Sequence, residues 1–437
     1  MNREEALRYL LQRAGETGID LEVLADESRE LTIDSFDGNV SDFKQAIRGG
    51  VGVRAVVEGR VGYAWTEDLD REALDWVLEE ARENALLQEE SDGDGFLPEG
   101  EGSGQSDLLS EGLSAPLQEK VEQALGLERE LKKDERYSRT VSARYTEREV
   151  RHSVASSKGV DGGYRDGFAG LFAAFVMRDG DSVKQGYGLD AAKEFHELDP
   201  GRTAQEFLRR TGRLLGARPL KTGRYRAYLE PPVVADLLGV LEFSLSGKTL
   251  VEGKSRFDGK LGERVASELV TLVDDPDHPE GLGSRPFDSE GMAARRLPLI
   301  EQGVLRSFLH NSYTARKSGQ PNTGHAARNY RGTLGISHSN LLLLPGEGVA
   351  TNDGVVVCEL MGLHAGANPI SGDISLQALG LRVEGGESYP VENFVISGNL
   401  FRMLEKVTAV GSEPEWSPGG SIRSPMIEIE SLSFGGA

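Results

Sequence analysis

Two patterns of apolar residues alternate along the first 90 residues, one typical of helices and the other typical of strands. Apolar residues recur every three or four positions in 2–15 and again in 70–87, which predicts two amphipathic helices. Between them, short apolar runs bounded by glycine are typical of strands. These runs predict strands over 21–24 and 30–35, and a hairpin that joins 52–57 to 61–65 through a turn at Glu58-Gly59.

A similar order of elements follows in the next stretch of the chain. The pattern predicts a helix over 116–133, strands over 139–145, 149–156 and 167–177, and a helix over 202–216. A hairpin followed by a helix therefore occurs twice, once in 50–87 and once in 167–216. This order suggests an internal duplication, although the two stretches share little sequence identity.

The segment 88–115 breaks every periodic pattern. It is acidic, rich in glycine and serine, and poor in apolar residues. Such a segment buries too little apolar surface to offset the entropy lost on ordering. We therefore expect an acidic, flexible surface loop at 88–115.

After residue 225, strand-like runs punctuated by Gly, Pro and Asn replace most helical periods, apart from helices predicted at 231–246 and near 398–405. The predicted fold class is α+β, with an N-terminal α/β region of strand-hairpin and helix units followed by a large β-rich C-terminal domain. The predicted division is an N-terminal α+β domain over 1–87, the flexible loop over 88–115, a central α+β region over 116–220 and the β-rich domain over 225–437.

Charge and cysteine content narrow the classes of function. The chain has 437 residues and a net charge of −22, so it is repelled by nucleic-acid phosphates and anionic membranes, and we expect neither as a partner. Its single cysteine, Cys358, excludes an intramolecular disulfide and lies in an apolar run, which favours a buried, inert thiol. Residues 1–11 are charged and lack the apolar core of a signal peptide, and the longest apolar runs are too short to span a bilayer. These features predict a cytoplasmic protein.

Common catalytic and nucleotide-binding motifs are absent. A hydrolytic zinc site usually needs two histidines one helical turn apart, and none of the seven histidines has that spacing. The 246–249 run (SGKT) resembles the end of a P-loop, but Glu242 stands where the first glycine would be. Two segments, 312–328 and 364–375, set small residues among polar ones. Either they bring backbone groups close to a ligand or another chain, or they are tight turns between strands.

Several motifs in the second half resemble those of the TldD/PmbA family, whose older label is modulator of DNA gyrase. They are FDSEG at 287–291, a GxL…YTARK stretch ending at 317, HAGANP with SGDIS at 364–375, ISGNL at 396–400 and GSxxSP at 420–425. The TldD kind of member also carries HExxxH on a helix early in this domain and a later cysteine ligand. The corresponding helix here, at 233–245, has no histidine, and 419–423 has no cysteine. The chain therefore resembles the PmbA (TldE) kind.

The resemblance implies a subunit of a heteromeric metallopeptidase that processes or degrades unfolded or extended peptides. It implies zinc and the catalytic glutamate on a TldD-type partner, and neither a catalytic residue, a metal ligand nor a cofactor on this chain. Residues that would shape the cavity or the interface are Tyr313, Arg316, His325, Arg328, His364, Asn368 and Asp373.

Two alternatives stay open at this stage. The chain could form a homodimer on its own and act as a peptide-binding module without catalysis. It could also be a self-sufficient hydrolase that uses scattered residues such as His325, His364 and Asp373, although no activating arrangement is visible in the sequence. The natural substrate and the subunit stoichiometry do not follow from the sequence.

Overall fold

The computed structural model describes residues 1–88, 97–100, 104–109 and 111–436. The remaining positions, 89–96, 101–103, 110 and 437, lie outside the described residues, so 12 of the 28 positions in the predicted flexible loop 88–115 fall outside them too. Within that segment, 104–107 differ from the prediction of a loop, because they pair in parallel with residues 162–165 as a short strand.

The first unit is a helix, three antiparallel strands and a second helix. A capping box between Asn2 and Glu5 starts the first helix, and Gly18 ends it in the left-handed conformation with φ 69°. The predicted turn at Glu58-Gly59 is confirmed, and both of its residues have positive φ. The elements are α1 (Arg3–Thr17), β1 (Asp20–Phe36), β2 (Asn39–Val57), β3 (Arg60–Thr66) and α2 (Arg71–Leu86).

The second unit repeats this order, as the sequence pattern suggested. A short strand and a 3-10 turn (Glu111–Ser114) precede it, and another 3-10 turn (Phe195–Glu197) precedes its last helix. The strands predicted at 139–145 and 149–156 are one continuous strand. The elements are β4 (Gly104–Asp107), α3 (Leu117–Leu131), β5 (Tyr137–Ser156), β6 (Asp161–Asp179), β7 (Ser182–Ala192) and α4 (Pro200–Gly212).

Both units contribute to the same β-sheet. Among the described residues it has seven strands in the order β3-β2-β1-β5-β6-β4, with β7 also paired to β6. The units meet where β1 and β5 pair antiparallel, from Glu22↔Ser156 to Ser35↔Ala143. One core lies under α1 and α2 and a second under α3 and α4, so each unit covers its own part of the sheet.

The C-terminal half is rich in short strands, as predicted. Its helices are α5 (Pro231–Leu245), α6 (Gly247–Val251), α7 (Ser312–Ser318), α8 (Leu363–Gly366) and α9 (Leu400–Glu405). Its strands are β8 (Arg218–Pro219), β9 (Gly223–Leu229), β10 (Leu272–Asp274), β11 (Leu297–Glu301), β12 (Val304–Leu305), β13 (Ala326–Ala327), β14 (Gly335–Ile336), β15 (Leu341–Leu343), β16 (Gly354–Met361), β17 (Asp373–Glu384), β18 (Glu387–Asn399), β19 (Val407–Val410), β20 (Glu415–Trp416), β21 (Ile422–Ser424) and β22 (Ile427–Gly435).

The longest strands of this half close into a barrel. In the described chain, neighbours pair in the order β22-β9-β16-β17-β18, and β22 also pairs with β18, which completes the ring. A large apolar core joins the barrel strands to α5 and α9. Cys358 lies in β16 and is buried, and burial raises the pKa of its thiol. No helix in the described ranges is long and apolar enough to cross a membrane.

The two halves contact each other at several places, among them a small apolar contact and a buried ion cluster. Phe287 packs with Leu24 and Val160 from the N-terminal sheet. Beside it, Arg54 of β2 forms ion pairs with Glu290 at 2.8 Å and with Glu22 of β1 at 3.6 Å. The fold is therefore the predicted α+β arrangement, with charged side chains buried at the junction of its two halves.

Candidate functional site

Helix α5 occupies the place where the family resemblance expects a zinc motif. Its apolar side chains enter the C-terminal core, and its glutamate Glu242 contacts His338. Glu242 Oε2 lies 2.9 Å from His338 Nδ1, while Oε1 accepts the His338 backbone N–H at 3.0 Å. The other ring nitrogen of His338 lies 3.2 Å from Ser421 Oγ. Burial opposes the charged imidazole, but the hydrogen bond with Glu242 outweighs it and raises the pKa of His338.

This arrangement does not fit a zinc ion. Glu242 lies at ion-pair distance from the ring of His338 and accepts its backbone N–H, and serine supplies the next polar contact where a tetrahedral zinc site would need further nitrogen, sulfur or carboxylate ligands. Among the residues that the structure describes, no group of three or more His, Cys, Asp or Glu side chains is placed to hold a metal ion. The polar groups at α5 are therefore arranged as a hydrogen-bonded pair.

A second buried histidine lies in the polar layer behind α5. His325 Nε2 lies 3.0 Å from Asp274 Oδ2, and Nδ1 lies 2.9 Å from Thr323 Oγ1. Asp274 also accepts the backbone N–H of Ser339 at 2.8 Å and a hydrogen bond from its hydroxyl. Burial disfavours the charged carboxylate, but His325, the Ser339 hydroxyl and Arg285 together outweigh it and lower the pKa of Asp274. His325, a candidate from the sequence, is thus a fully bonded interior residue.

The main cavity lies next to His325, because Thr323, which contacts that histidine, is on the cavity wall. It has a volume of about 660 Å3, within the range of small-ligand pockets. Its wall combines 98–100 and Val160 from the N-terminal half with 286–293 and 320–323 from the C-terminal half. Most of the lining is apolar, and the exposed side chain of Arg295 adds a positive charge. The cavity therefore suits a ligand that has an apolar body and a polar end.

His310 lines this cavity and is 1% exposed. Its Nδ1 lies 3.1 Å from Thr314 Oγ1, while its Nε2 has no hydrogen-bond partner among the described residues. Burial, together with the neighbouring His325, lowers the pKa of His310 to about 4. At neutral pH the ring is therefore uncharged, and one of its nitrogens remains to be satisfied by a ligand or water.

Arg328, another candidate from the sequence, belongs to the ion cluster between the halves. Its guanidinium lies 3.0 Å from Glu22 Oε1 and 5.5 Å from the ring centre of Tyr63. Glu290, from the FDSEG motif, accepts the Ser312 backbone N–H at 2.9 Å as well as the Arg54 guanidinium. The side chains of this cluster are almost fully buried. Because they come from both halves of the chain, their contacts join the two halves.

The last three candidates lie on an exposed loop between β16 and β17. Asn368 Oδ1 accepts the backbone N–H groups of Ile370 and Ser371 at 3.0 and 3.1 Å, which shapes the loop as an Asx turn. Asp373 accepts hydrogen bonds from Asn399 at 2.9 Å and Ser371 at 2.8 Å, and these bonds lower its pKa. His364 is exposed on α8. An open groove of about 630 Å3 lies along 365–369 and 373–375.

The structure therefore distributes the seven candidates over three places. His325 and Arg328 are interior, and His364, Asn368 and Asp373 line the exposed loop. Tyr313 and Arg316 lie on α7, where Tyr313 is half-buried and Arg316 is exposed. Their roles at a cavity or interface stay a prediction. The sequence interpretation omitted His310, and its only signal was a histidine between an apolar run and a helix-capping asparagine.

Comparison with known proteins assigns the family. Models of the PmbA/TldA metallopeptidase match residues 21–85 as domain 1, 111–215 as the central domain and 222–436 as the C-terminal domain. The chain belongs to the PmbA/TldD metallopeptidase family. Metalloprotease PmbA of Escherichia coli O157:H7 is 27% identical over 98% of each chain. A metalloprotease of Methanothermobacter thermautotrophicus is 28% identical over 90% of this chain and 88% of its own.

Solved structures of PmbA/TldD-like proteins have the same fold. A Thermotoga maritima protein described as a candidate modulator of a DNA gyrase superposes with a TM-score of 0.88 and 29% identity, covering 99% of this chain and all of its own. TldE of Thermococcus kodakarensis superposes with a TM-score of 0.88, covering 98% of this chain and all of its own. At 23% identity, the TldE match supports the fold alone.

Proposed function

We propose that this chain is the PmbA/TldE-type subunit of a TldD-type zinc metallopeptidase, which degrades or processes unfolded peptides. One observation carries the proposal: α5 has no histidine, and its Glu242 is hydrogen-bonded to His338. The zinc ion and the catalytic glutamate would belong to the TldD-type partner. The proposal includes a cytoplasmic location, where unfolded peptides from protein turnover would reach the complex.

The contribution of this chain would be to bind and position peptides. The apolar cavity beside His310 and the groove at 365–375 offer concave surfaces. On the cavity wall, the Thr323 hydroxyl lies 2.9 Å from His325 Nδ1, but its oxygen also accepts the His310 backbone N–H at 2.6 Å, which ties it to the backbone. The side chains of His364 and Asp373 are exposed at the surface and are not packed in the core. They therefore suit an interface with another subunit. Two curated metalloproteases are 27–28% identical to this chain over most of their length. This similarity supports proteolysis as the process in which the chain takes part.

The decisive experiment compares this chain, a TldD-type subunit and their mixture for cleavage of an unfolded protein, each with zinc and with a chelator. We expect cleavage in the mixture only, and we expect the chelator to abolish it. A chelator-sensitive activity of this chain alone would overturn the assignment as a non-catalytic subunit. Full activity of the TldD-type subunit alone, unchanged on mixing, would overturn the assignment as a functional partner.

A further inference from the structure

Among the described residues, the outer edge of β2 has no strand partner over more than half of its length. β1 pairs with the whole of β2 on one side, from Asp20↔Val56 to Phe36↔Asn39. On the other side, β3 pairs only with residues 51–57. No described strand pairs with the outer edge of 39–50, so backbone N–H and C=O groups there lack a strand partner. An open edge of this length can accept another strand.

The open edge is regular and partly apolar. Its register with β1 continues without interruption from Asp34↔Asp42 to Asp26↔Gly50, because the one irregularity lies beyond Asp42, towards the hairpin turn. In a regular strand, residues 43, 45 and 47 share one face, and 42, 44, 46 and 48 share the other. Phe43 is 44% exposed and Ile47 is 61% exposed. A groove of about 340 Å3, lined partly by Leu31, Phe43 and Leu117, lies on the face of the sheet that carries Phe43 and extends from β2 towards β5.

The sequence of this edge is complementary to itself in one antiparallel register. When Gln45 faces Gln45 of a second copy, each Phe43 lies opposite Ile47 and each Asp42 lies opposite Arg48. Aromatic–β-branched pairs and opposite charges are the cross-strand pairs that stabilise antiparallel strands. The two-fold axis at Gln45 makes each favourable pair occur twice, as in an isologous interface.

The charges on this edge argue against a purely protective role. Strand edges that avoid pairing commonly carry lysines or other charges that would repel an incoming strand. Here the edge lysine Lys44 is balanced by Asp42 of the same strand, whose carboxylate lies 2.6 Å from it, and Lys44 lies opposite Ala46 in the self-paired register. Asp42 and Arg48 have opposite signs and are six residues apart, so they attract in that register. We propose that residues 42–48 of β2 pair antiparallel with the same residues of a second copy of this chain, and thereby join two N-terminal sheets into a dimer.

Cysteine cross-linking tests the register directly. Opposed Cα atoms in antiparallel strands are about 4.5–5.5 Å apart, which a disulfide can span. We expect Gln45→Cys to form a covalent dimer under mild oxidation, because residue 45 faces itself. Phe43→Cys and Ile47→Cys should cross-link efficiently only when mixed. The one natural cysteine, Cys358, is buried and gives a low background.

Lys254→Cys is the matched control, since Lys254 is an exposed residue on a different surface. The proposal is overturned if Gln45→Cys cross-links no faster than Lys254→Cys. It is also overturned if Phe43→Cys alone cross-links as fast as its mixture with Ile47→Cys.

Charge reversal tests the same register without a covalent bond. Asp42→Arg and Arg48→Asp each place like charges opposite one another twice, so we expect at least about a tenfold weaker dimer by analytical ultracentrifugation. The double variant Asp42→Arg/Arg48→Asp should return to within about threefold of the natural chain, and the two single variants should prefer each other in a mixture. Measurements near 0.15 M salt limit the long-range repulsion between two copies of net charge −22.

Glu252→Arg and Lys254→Asp make the same changes in net charge at an exposed pair on another surface, and should leave association unchanged. A natural chain that stays monomeric at about 100 μM, or a double variant as weak as the single ones, would overturn the proposal. If the reversals affect only assembly with a TldD-type subunit, the edge has a different occupant and the proposal fails. None of these outcomes depends on peptidase activity.

Discussion

Replacing Arg54 with Met tests whether the buried ion cluster stabilises the junction between the two halves. Arg54 lies 2.8 Å from Glu290 and 3.6 Å from Glu22, and all three side chains are at most 2% exposed. Removing one partner from a buried ion pair costs about 3–5 kcal/mol, because a charge is left uncompensated. Glu22 keeps Arg328 at 3.0 Å, and Glu290 keeps the N–H of Ser312, so we expect the lower value, about 3 kcal/mol.

The free energy of unfolding from urea titration, followed by circular dichroism and tryptophan fluorescence, measures this loss. Arg129→Met is the matched control, because Arg129 forms a 2.7 Å pair with Glu122 in which both side chains are more than half exposed. That variant should lose less than about 1 kcal/mol. The double variant Arg54→Met/Glu290→Gln should recover at least about 1 kcal/mol relative to Arg54→Met, since it removes a stranded charge and keeps an acceptor for the Ser312 N–H. A loss below about 1 kcal/mol for Arg54→Met would refute this reasoning.

Further predictions concern the histidines, the exposed loop and the thiol. Because the pKa of His310 is lowered to about 4, its neutral ring stabilises the fold above pH 6.5, and this contribution is lost as the pH falls towards 4. The natural chain should lose about 2 kcal/mol of stability between pH 7 and pH 5 through this group, and His310→Gln should not. His325→Ala should cost about 3 kcal/mol in urea titrations, because the buried carboxylate of Asp274 then loses a hydrogen-bond partner in the core. His364→Ala and Asp373→Ala should each lower cleavage by the mixed complex by roughly tenfold with nearly unchanged stability, whereas the exposed control His196→Ala should do neither. Cys358 should react with a thiol reagent only after unfolding, and rapid labelling of the native chain would contradict its burial.

Local patterns in the sequence predicted most helices to within a few residues. The stripes at 70–87 and 231–246 correspond to α2 (Arg71–Leu86) and α5 (Pro231–Leu245). Long strands were harder to predict, because β2 extends for 19 residues and its first half is exposed on both faces. Without one buried face, the alternation that indicates a strand is absent. The strand at 104–107 escaped prediction for the same reason, since its residues are small or polar and mostly exposed.

The candidate site was only partly accessible from the sequence. Glycine-rich polar loops such as 364–375 are recognisable, because small residues and Asx turns leave a local signature. The partners of His325 and Arg328 are Asp274 and Glu22, which are 51 and about 300 residues away along the chain. Such pairs depend on tertiary packing, and a single sequence carries no local signal for them.

Closure of the C-terminal barrel has a consequence for synthesis. β9 pairs with β22 from Ile427↔Leu229 to Phe434↔Gly223, so the two strands of this seam are separated by roughly 200 residues of chain. At about 5–20 residues per second, a ribosome would need roughly 10–40 s to make the intervening segment. During that interval, the edge of β9 and the apolar interior of the barrel lack their final strand. The nascent chain would therefore benefit from a chaperone until β22 emerges and seals the ring.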